Sequence, residues 1–318
     1  MRKLLCIALV LLAPLATAQN WPSKPLRIVV PYPPGGANDI VARALQPALS
    51  ASLGQPVVIE NRGGGATQIG TEAVTRSAPD GSTFLLTNIA LGANPSLFAR
   101  LPYDTSKDLA PISLISTVPL VLVVHPSVPA KTTADFIALA KAKPGSVNYA
   151  SAGNGSANHL AMEMFRSLAG IDVVHVPYKG FGPAMTDLLG GQVASAFATT
   201  LASLPQVKAG KLRALGISSA RRSSVAPDVP TIAESGLPGF DVNEWQMLLA
   251  PAGTAAAIIE RMQREVANGL RNDEVKTRLT ELGATPVGST PQEAQTFLRN
   301  ELARWADVAK RVGIKPQD

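Results

Sequence analysis

The sequence contains one cysteine and three histidines among its 318 residues. The cysteine, Cys6, lies within the first eighteen residues, so the rest of the chain can form no disulfide and has no thiol chemistry. The histidines, His125, His159 and His175, match no metal-binding or hydrolase spacing. We therefore expect a protein that is not an enzyme, with no catalytic residues, no metal site and no cofactor.

Charged residues are also scarce, at 16% of the chain, where a typical soluble domain has about a quarter. The formal net charge is +6, without the dense basic runs that mark nucleic-acid-binding proteins. We therefore expect no nucleic-acid partner. A weakly positive chain of this kind is compatible with a small anionic ligand, although charge alone does not establish one.

The chain lacks an apolar run long enough to span a membrane as a helix, which takes roughly 20 residues. The run Leu4–Leu15 follows the basic pair Arg2 and Lys3 and precedes a small-residue pattern that ends at Ala18. This order predicts a signal peptide over residues 1–18 that is cleaved after Ala18. The alternative is an uncleaved membrane anchor, for which the run is short. We expect a periplasmic protein whose remaining residues form two lobes.

From Leu26 onward, short apolar strands alternate with helical periodicities. Predicted strands at Leu26–Val30, Pro56–Glu60 and Thr83–Thr87 are separated by helical segments, which is typical of a parallel α/β sheet. The pattern restarts at the apolar strand Pro119–His125, and a further strand at Trp245–Ala250 precedes a mostly helical end. This restart and return predict two crossings between two α/β lobes.

The two crossings divide the chain into a discontinuous first lobe and a continuous second lobe. We predict residues 19–120 and 246–318 for lobe one, and residues 121–245 for lobe two. Two crossing strands form a hinge, and hinge closure around a ligand is common among binding proteins.

Two turns between a strand and a helix are rich in glycine. Residues 151–156 read SAGNGS, and Ser156 sits where a helix N-cap belongs. Residues 34–38 read PGGAN, and Asn38 or Asp39 can cap the helix that follows. Such turns present hydroxyl and backbone N–H groups at the positive end of a helix, where a carboxylate or a phosphate can bind. The alternative is that each turn only starts its helix, and for Asp39 we favour a role in stabilising the first turn.

Polar residues at the ends of other strands are further candidates, because ligands of parallel sheets bind beyond the carboxyl ends of the strands. Thr87 and Asn88 end the third predicted strand, and Thr199 and Thr200 end a strand in the second lobe. Each could instead be a turn residue that bonds its own backbone. The full set of predicted ligand-binding residues is Pro34, Gly35, Gly36, Asn38, Thr87, Asn88, Ser151, Gly153, Asn154, Ser156, Thr199 and Thr200.

Many blocks of the sequence, in the same order, resemble the periplasmic solute-binding proteins of tripartite tricarboxylate transporters, the Bug family. The resemblance runs from about Trp21 to the C-terminus. The blocks that carry it include WPSKPLRIVVPYPPGGANDIVAR, IENR, APDGSTFLL, YDTSKDLAPISLI, AKAKPGSVNYASAGNGSANHLAMEMF, HVPYKG, DLLGGQV, KAGKLRALGISS, PDVPTIAESGLPGF and LLAPAGT.

The resemblance implies a two-lobe periplasmic-binding-protein fold, type II-like, that closes on a ligand as a Venus flytrap. It further implies a carboxylate ligand, such as a carboxylic acid, an aromatic acid or an amino acid, held by residues 34–38 of lobe one and 151–156 of lobe two. The expected partners are that small molecule and, transiently, the membrane subunits of a transporter, and the protein is expected to be a monomer. The alternative function is a periplasmic sensor that binds the same acids and signals to a membrane receptor or two-component system.

The sequence departs from the family pattern at two places. Gly63 replaces a proline in the turn after Asn61-Arg62, and Met247 stands where a glycine is common after Trp245. We expect these changes to bear on the identity of the ligand rather than on the fold, with Met247 reshaping the hinge or the cleft wall.

Overall fold

The computed structural model describes residues 21–281, 283–313 and 316. The predicted signal peptide and its cleavage site lie outside the described residues. The strands are β1 (Leu26–Val30), β2 (Val57–Asn61), β3 (Thr83–Asn88), β4 (Leu109–Val124), β5 (Asn148–Ser151), β6 (Val174–Pro177), β7 (Ser195–Thr199), β8 (Arg213–Ile217), β9 (Asn243–Pro251) and β10 (Thr285–Pro286).

Helices follow most of the strands, and a short 3-10 helix, Gly65–Thr67, follows β2. The α-helices are α1 (Ala37–Leu53), α2 (Gln68–Thr75), α3 (Ala90–Leu97), α4 (Thr133–Ala142), α5 (Ala157–Ala169), α6 (Phe181–Leu189), α7 (Thr200–Lys208), α8 (Ala256–Leu270), α9 (Asp273–Glu281) and α10 (Pro291–Val312). Among the described residues, no helix combines the length and the apolar character needed to cross a membrane.

The strand β4 joins the two halves of the sheet. Its residues 109–119 pair antiparallel with β9, and its residues 120–124 pair antiparallel with β7 and β8. Beyond β9 lie β3, β1 and β2, with β1 parallel to both neighbours, and beyond β7 lie β5 and β6, parallel to one another. The predicted α/β fold with two lobes is confirmed, while the exact lobe boundaries stay a prediction.

The structure corrects the predicted start of β4. The apolar run predicted a strand from Pro119, but the strand begins ten residues earlier, at Leu109. Pro111 and Pro119 both lie within it, and the pairing with β9 shifts register beside Pro111. Proline has no N–H group to donate to a strand pairing, so a segment that contains proline is not predicted as a strand from its sequence.

Ser218 bonds both segments that cross between the lobes. This buried serine accepts a hydrogen bond from the Leu120 N–H at 2.8 Å through its Oγ, which donates to the Val242 carbonyl. Its backbone bonds the same two residues, at 2.8 Å to Leu120 and 2.9 Å to Val242. The two crossings are therefore tied together where β4 changes partners, which is the predicted position of the hinge.

The core of lobe two is built around phenylalanine rings. The centroids of neighbouring rings lie between 5.8 and 6.0 Å apart in the set Phe136, Phe165, Phe197 and Phe240. At the boundary of the two lobes, Trp245 packs edge-on against Phe297 at 5.5 Å, and Trp305 is also buried. Met247 is also fully buried in this core and does not line the cleft described below.

Candidate functional site

A cleft of about 700 Å³ lies between the two lobes. Lobe one contributes residues 32–38 and Asn88, and lobe two contributes residues 156–158 and 179–183. Val118 and Glu244, which are paired across β4 and β9, line it from the two strands of the hinge. A cleft of this size suits a small molecule rather than a macromolecular segment.

Four helices begin at the wall of this cleft. Their N-cap residues, which all line it, are Gly36 of α1, Ser156 of α5, Gly180 of α6 and Thr199 of α7. The first N–H groups of a helix have no partner within it, and the helix dipole makes that end positive. The cleft therefore presents the positive ends of four helices, an arrangement that favours a bound anion.

The turn before α1 is held by Asp39. The Gly35 N–H donates to Asp39 Oδ2 at 2.9 Å, and Arg43 Nε donates to Asp39 Oδ1 at 2.9 Å. Burial alone would raise the pKa of Asp39, but the hydrogen bonds from Arg43 and Gly35 outweigh it and lower that pKa below its ordinary value. The first-turn role predicted for Asp39 is confirmed. The predicted cap at Asn38 or Asp39 is wrong, because the helix begins earlier and its N-cap is Gly36.

This correction matters for the site, because Gly36 has no side chain to satisfy the amides of the first turn. Among the described residues, the N–H groups of Gly36, Ala37 and Asn38 have no hydrogen-bond partner. Asn38 lines the cleft and is 3% exposed. Its side-chain Oδ1 likewise has no hydrogen-bond partner among the described residues. The N-terminus of α1 therefore offers unused hydrogen-bonding groups to a ligand.

The turn before α5 has a capped helix start. Ser156 is the N-cap, as predicted, and its Oγ accepts from the His159 N–H at 3.4 Å and donates to the Gly153 carbonyl at 2.7 Å. Ser151 is fully buried behind the turn, where its Oγ lies 2.6 Å from His175 Nε2 and accepts from the Gly153 N–H. Ser151 therefore shapes the turn instead of lining the cleft.

Seven of the predicted ligand-binding residues line the cleft: Pro34, Gly35, Gly36, Asn38, Asn88, Ser156 and Thr199. The other five, Thr87, Ser151, Gly153, Asn154 and Thr200, are not among the residues that line the cleft, and their contact with a ligand stays a prediction. Thr87 is buried opposite Met247 on β9, Asn154 lines a separate pocket, and Thr200 lines another beside Gly283. Strand ends alone did not reveal which way these side chains point.

The floor of the cleft holds a chain of polar groups, of which the sequence predicted only Asn88. Tyr32 OH donates to Asn88 Oδ1 at 2.6 Å, and Asn88 Nδ2 donates to Glu244 Oε1 at 3.1 Å. Glu244 is 8% exposed, and burial raises the pKa of its carboxyl. No sequence signal pointed to this role, since Glu244 lies directly before the predicted strand Trp245–Ala250 and belongs to no motif.

Behind the turn before α5 lies a buried cluster of titratable side chains. The His159 and His175 rings stack with centroids 4.4 Å apart, and Tyr149 OH donates to Glu163 Oε1 at 2.7 Å. Burial lowers the pKa of His175 to about 4. Glu163 is 4% exposed and pairs with Arg166 at 2.8 Å. This cluster stabilises the turn from inside lobe two.

Comparison with known proteins gives matches along nearly the whole chain. The family model described as tripartite tricarboxylate transporter family receptor matches residues 41–314. Protein BugT of Bordetella pertussis is 42% identical over 301 residues, which cover 94% of this chain and 92% of BugT.

Two solved structures with bound acids are also similar. A protein of R. palustris solved with adipate is 36% identical, with a TM-score of 0.85, over 93% of this chain and 100% of that chain. MatC from Rhodopseudomonas palustris, solved with malate, is 34% identical, with a TM-score of 0.82, over 91% of this chain and 99% of MatC. The similarity in sequence and in fold therefore covers both lobes.

Proposed function

Since the chain belongs to the tripartite tricarboxylate transporter receptor family of periplasmic solute-binding proteins, we propose that it captures a small carboxylate in the cleft between its lobes. The adipate and malate bound to the two similar structures are both carboxylates, which supports this class of ligand. In this proposal the protein binds its ligand and releases it unchanged. The lobes close around the ligand to hold it.

The convergence of four helix N-termini on one cleft is the observation that carries the proposal. Among the described residues, Lys179 is the one cationic side chain that lines the cleft, and it is exposed at the rim. The other cations considered from the sequence are engaged elsewhere, with Arg43 on Asp39 and Arg62 3.8 Å from Glu60. An anion would thus be held by backbone N–H groups and dipoles rather than by a salt bridge.

The test is a thermal-shift screen of the purified protein against di- and tricarboxylates, aromatic acids, amino acids and their amides. A ligand that binds only the folded state raises the melting temperature in a concentration-dependent way. We expect such a shift from at least one class of carboxylate. Ligand-free, folded protein that shifts with no acid would contradict the proposal.

Ser156 provides a prediction at the lobe-two side of the site. Replacing Ser156 with alanine removes the cap of α5 and a hydroxyl on the cleft wall. We propose that on ligand binding this hydroxyl turns from the Gly153 carbonyl to the carboxylate, so we expect acid binding to weaken by about 1–3 kcal/mol, the scale of a hydrogen bond to a charged group. Isothermal titration calorimetry measures this change. Unchanged affinity would remove Ser156 from the ligand site. Loss of the cap alone costs about 1 kcal/mol of folding stability, which the melting temperature reports separately.

The proposal extends to location and partners. We propose export with cleavage after Ala18, and transient delivery of the ligand by a monomer to membrane transporter subunits. The proposed lobes are residues 19–120 with 246–318, and residues 121–245. The change of partner at Pro119–Leu120 in β4 and the bonds of Ser218 to both crossing segments support this division.

A further inference from the structure

We propose that Glu244 selects among carboxylates by the chemistry of their far end, favouring a hydrogen-bond donor such as an ammonium, amide or hydroxyl group over a second carboxylate. This inference rests on the proposed function, because it assumes that the helix N-termini hold one carboxylate of the ligand. It adds the class of solute that the cleft accepts.

The geometry leaves one oxygen of Glu244 for a ligand. Oε1 accepts from Asn88 Nδ2, and the orientation of that amide is fixed because its Oδ1 accepts from the Ala90 N–H at 3.2 Å and from Tyr32 OH. In the described part of the chain, Glu244 Oε2 has no hydrogen-bond partner, and Glu244 lines the cleft. An oxygen in this position accepts a hydrogen bond from a donor on the ligand.

The charges around the cleft favour the same class of ligand. Over the described residues, the charged side chains on its wall are Glu244 and Lys179, and Lys179 is at the exposed rim while Glu244 is buried. A second carboxylate at the floor would thus meet a carboxyl group without a cation beside it. Two carboxylates at one site cannot both ionise at low cost and must share a proton. A ligand ammonium or amide N–H would instead supply the donor that Oε2 lacks.

Glu244 lies on the strands that connect the two lobes, away from the turns that begin the helices. It lies on β9 opposite Val118 of β4, whereas the N-cap residues Gly36 and Ser156 lie on turns of the two lobes. A ligand whose carboxylate bonds the helix N-termini therefore directs its other end to the strands that connect the lobes. Discrimination by a buried polar group can be large, because a wrong partner leaves that group unpaired.

The experiment compares acids of equal length that differ only at the far end. One series is adipate, adipamate and ε-aminocaproate, and the second is succinate, succinamate and γ-aminobutyrate. Calorimetry at neutral pH on wild-type protein should show the amide or the amine binding about tenfold or more tighter than the diacid in at least one series, as expected for a hydrogen bond to a charged group.

The variant Glu244→Gln keeps a carbonyl oxygen for Asn88 and removes the negative charge. We expect it to lose the preference for the amine over the diacid by about tenfold or more. The matched control is Ser156→Ala, which should weaken all members of a series alike. Wild-type protein that prefers the diacid in both series, or an unchanged order in Glu244→Gln, would overturn the inference. The wild-type comparison can overturn the inference even if the variant fails to fold.

The two proposals fail in different ways. If these acids and the wider panel all leave the folded protein unchanged, the proposed function is wrong and the inference falls with it. If acids bind but their order does not depend on Glu244, the proposed function stands and only the role of Glu244 is lost.

Discussion

Replacing Gly36 with aspartate is expected to weaken acid binding severely while the protein stays folded. Gly36 is the N-cap of α1 with extended backbone angles, φ −79° and ψ 169°, and a Cβ there would lie 3.9 Å from its nearest neighbour, the Pro33 carbonyl oxygen. Aspartate is among the preferred N-cap residues, since its carboxylate accepts from the amides of the first turn. These are the amides that the site offers to a ligand, so the new carboxylate would occupy the site from within the chain.

We expect the affinity for acids to fall by about a hundredfold or more, because a charged hydrogen bond is lost and a like charge is added. The melting temperature should stay the same or rise, since glycine is replaced by a good cap. The control is Gly36→Ala, which adds the Cβ without an acceptor and should bind acids nearly as well as the wild type. Acid binding of near wild-type affinity in Gly36→Asp would show that the start of α1 is not part of the anion site.

Of the substitutions considered, replacing Glu301 with alanine is expected to lower the folding stability most. Glu301 is 5% exposed on α10, and its Oε2 accepts from the indole N–H of Trp245 at 2.8 Å and of Trp305 at 3.2 Å. Its Oε1 accepts from Arg304 Nη1 at 3.0 Å. Alanine would leave two indole N–H groups and a guanidinium without this partner in a buried place. We expect the free energy of unfolding to fall by about 3–5 kcal/mol.

Chemical denaturation with fluorescence detection would measure this loss. Glu301→Gln is the close control, because it keeps one acceptor oxygen and should lose less stability than alanine. Asp307→Ala is the exposed control, since its ion pair with Arg311 is more than half exposed on both sides. A surface pair of this kind is worth about 0–1 kcal/mol, so the variant should unfold almost as the wild type does. If Glu301→Ala loses no more folding stability than Asp307→Ala, the hydrogen bonds of Glu301 do not stabilise the protein as expected.

Local patterns predicted the α/β fold and the two glycine-rich turns. The strand at Leu26–Val30 has the predicted bounds, and Ser156 caps α5 as its position suggested. Such features depend on a few neighbouring residues, namely apolar alternation, glycine in a tight turn and a hydroxyl before a helix. The many ordered blocks also predicted the family, which the comparison confirmed.

The sequence predicted part of the cleft wall but not Tyr32 and Glu244 at its floor. Gly36 directly precedes α1 and Asn38 lies in its first turn, and their place at a helix start is readable from the chain. The starts of α6 and α7 join them at the same wall only because the sheet brings four strand ends together. Gly180 was no candidate from the sequence, and Thr199 was one only as the end of a strand.

Tertiary structure alone decided which polar side chains face the cleft and which support it. Glu244 reaches the floor because β9 pairs with β4 and places it near Asn88, 156 residues away in the chain. Ser151 is turned away because His175, on the neighbouring strand β6, takes its hydroxyl. Pairings of this kind depend on strand register and on which face each side chain takes. One residue of shift in register exchanges those faces, and no local run of sequence fixes it.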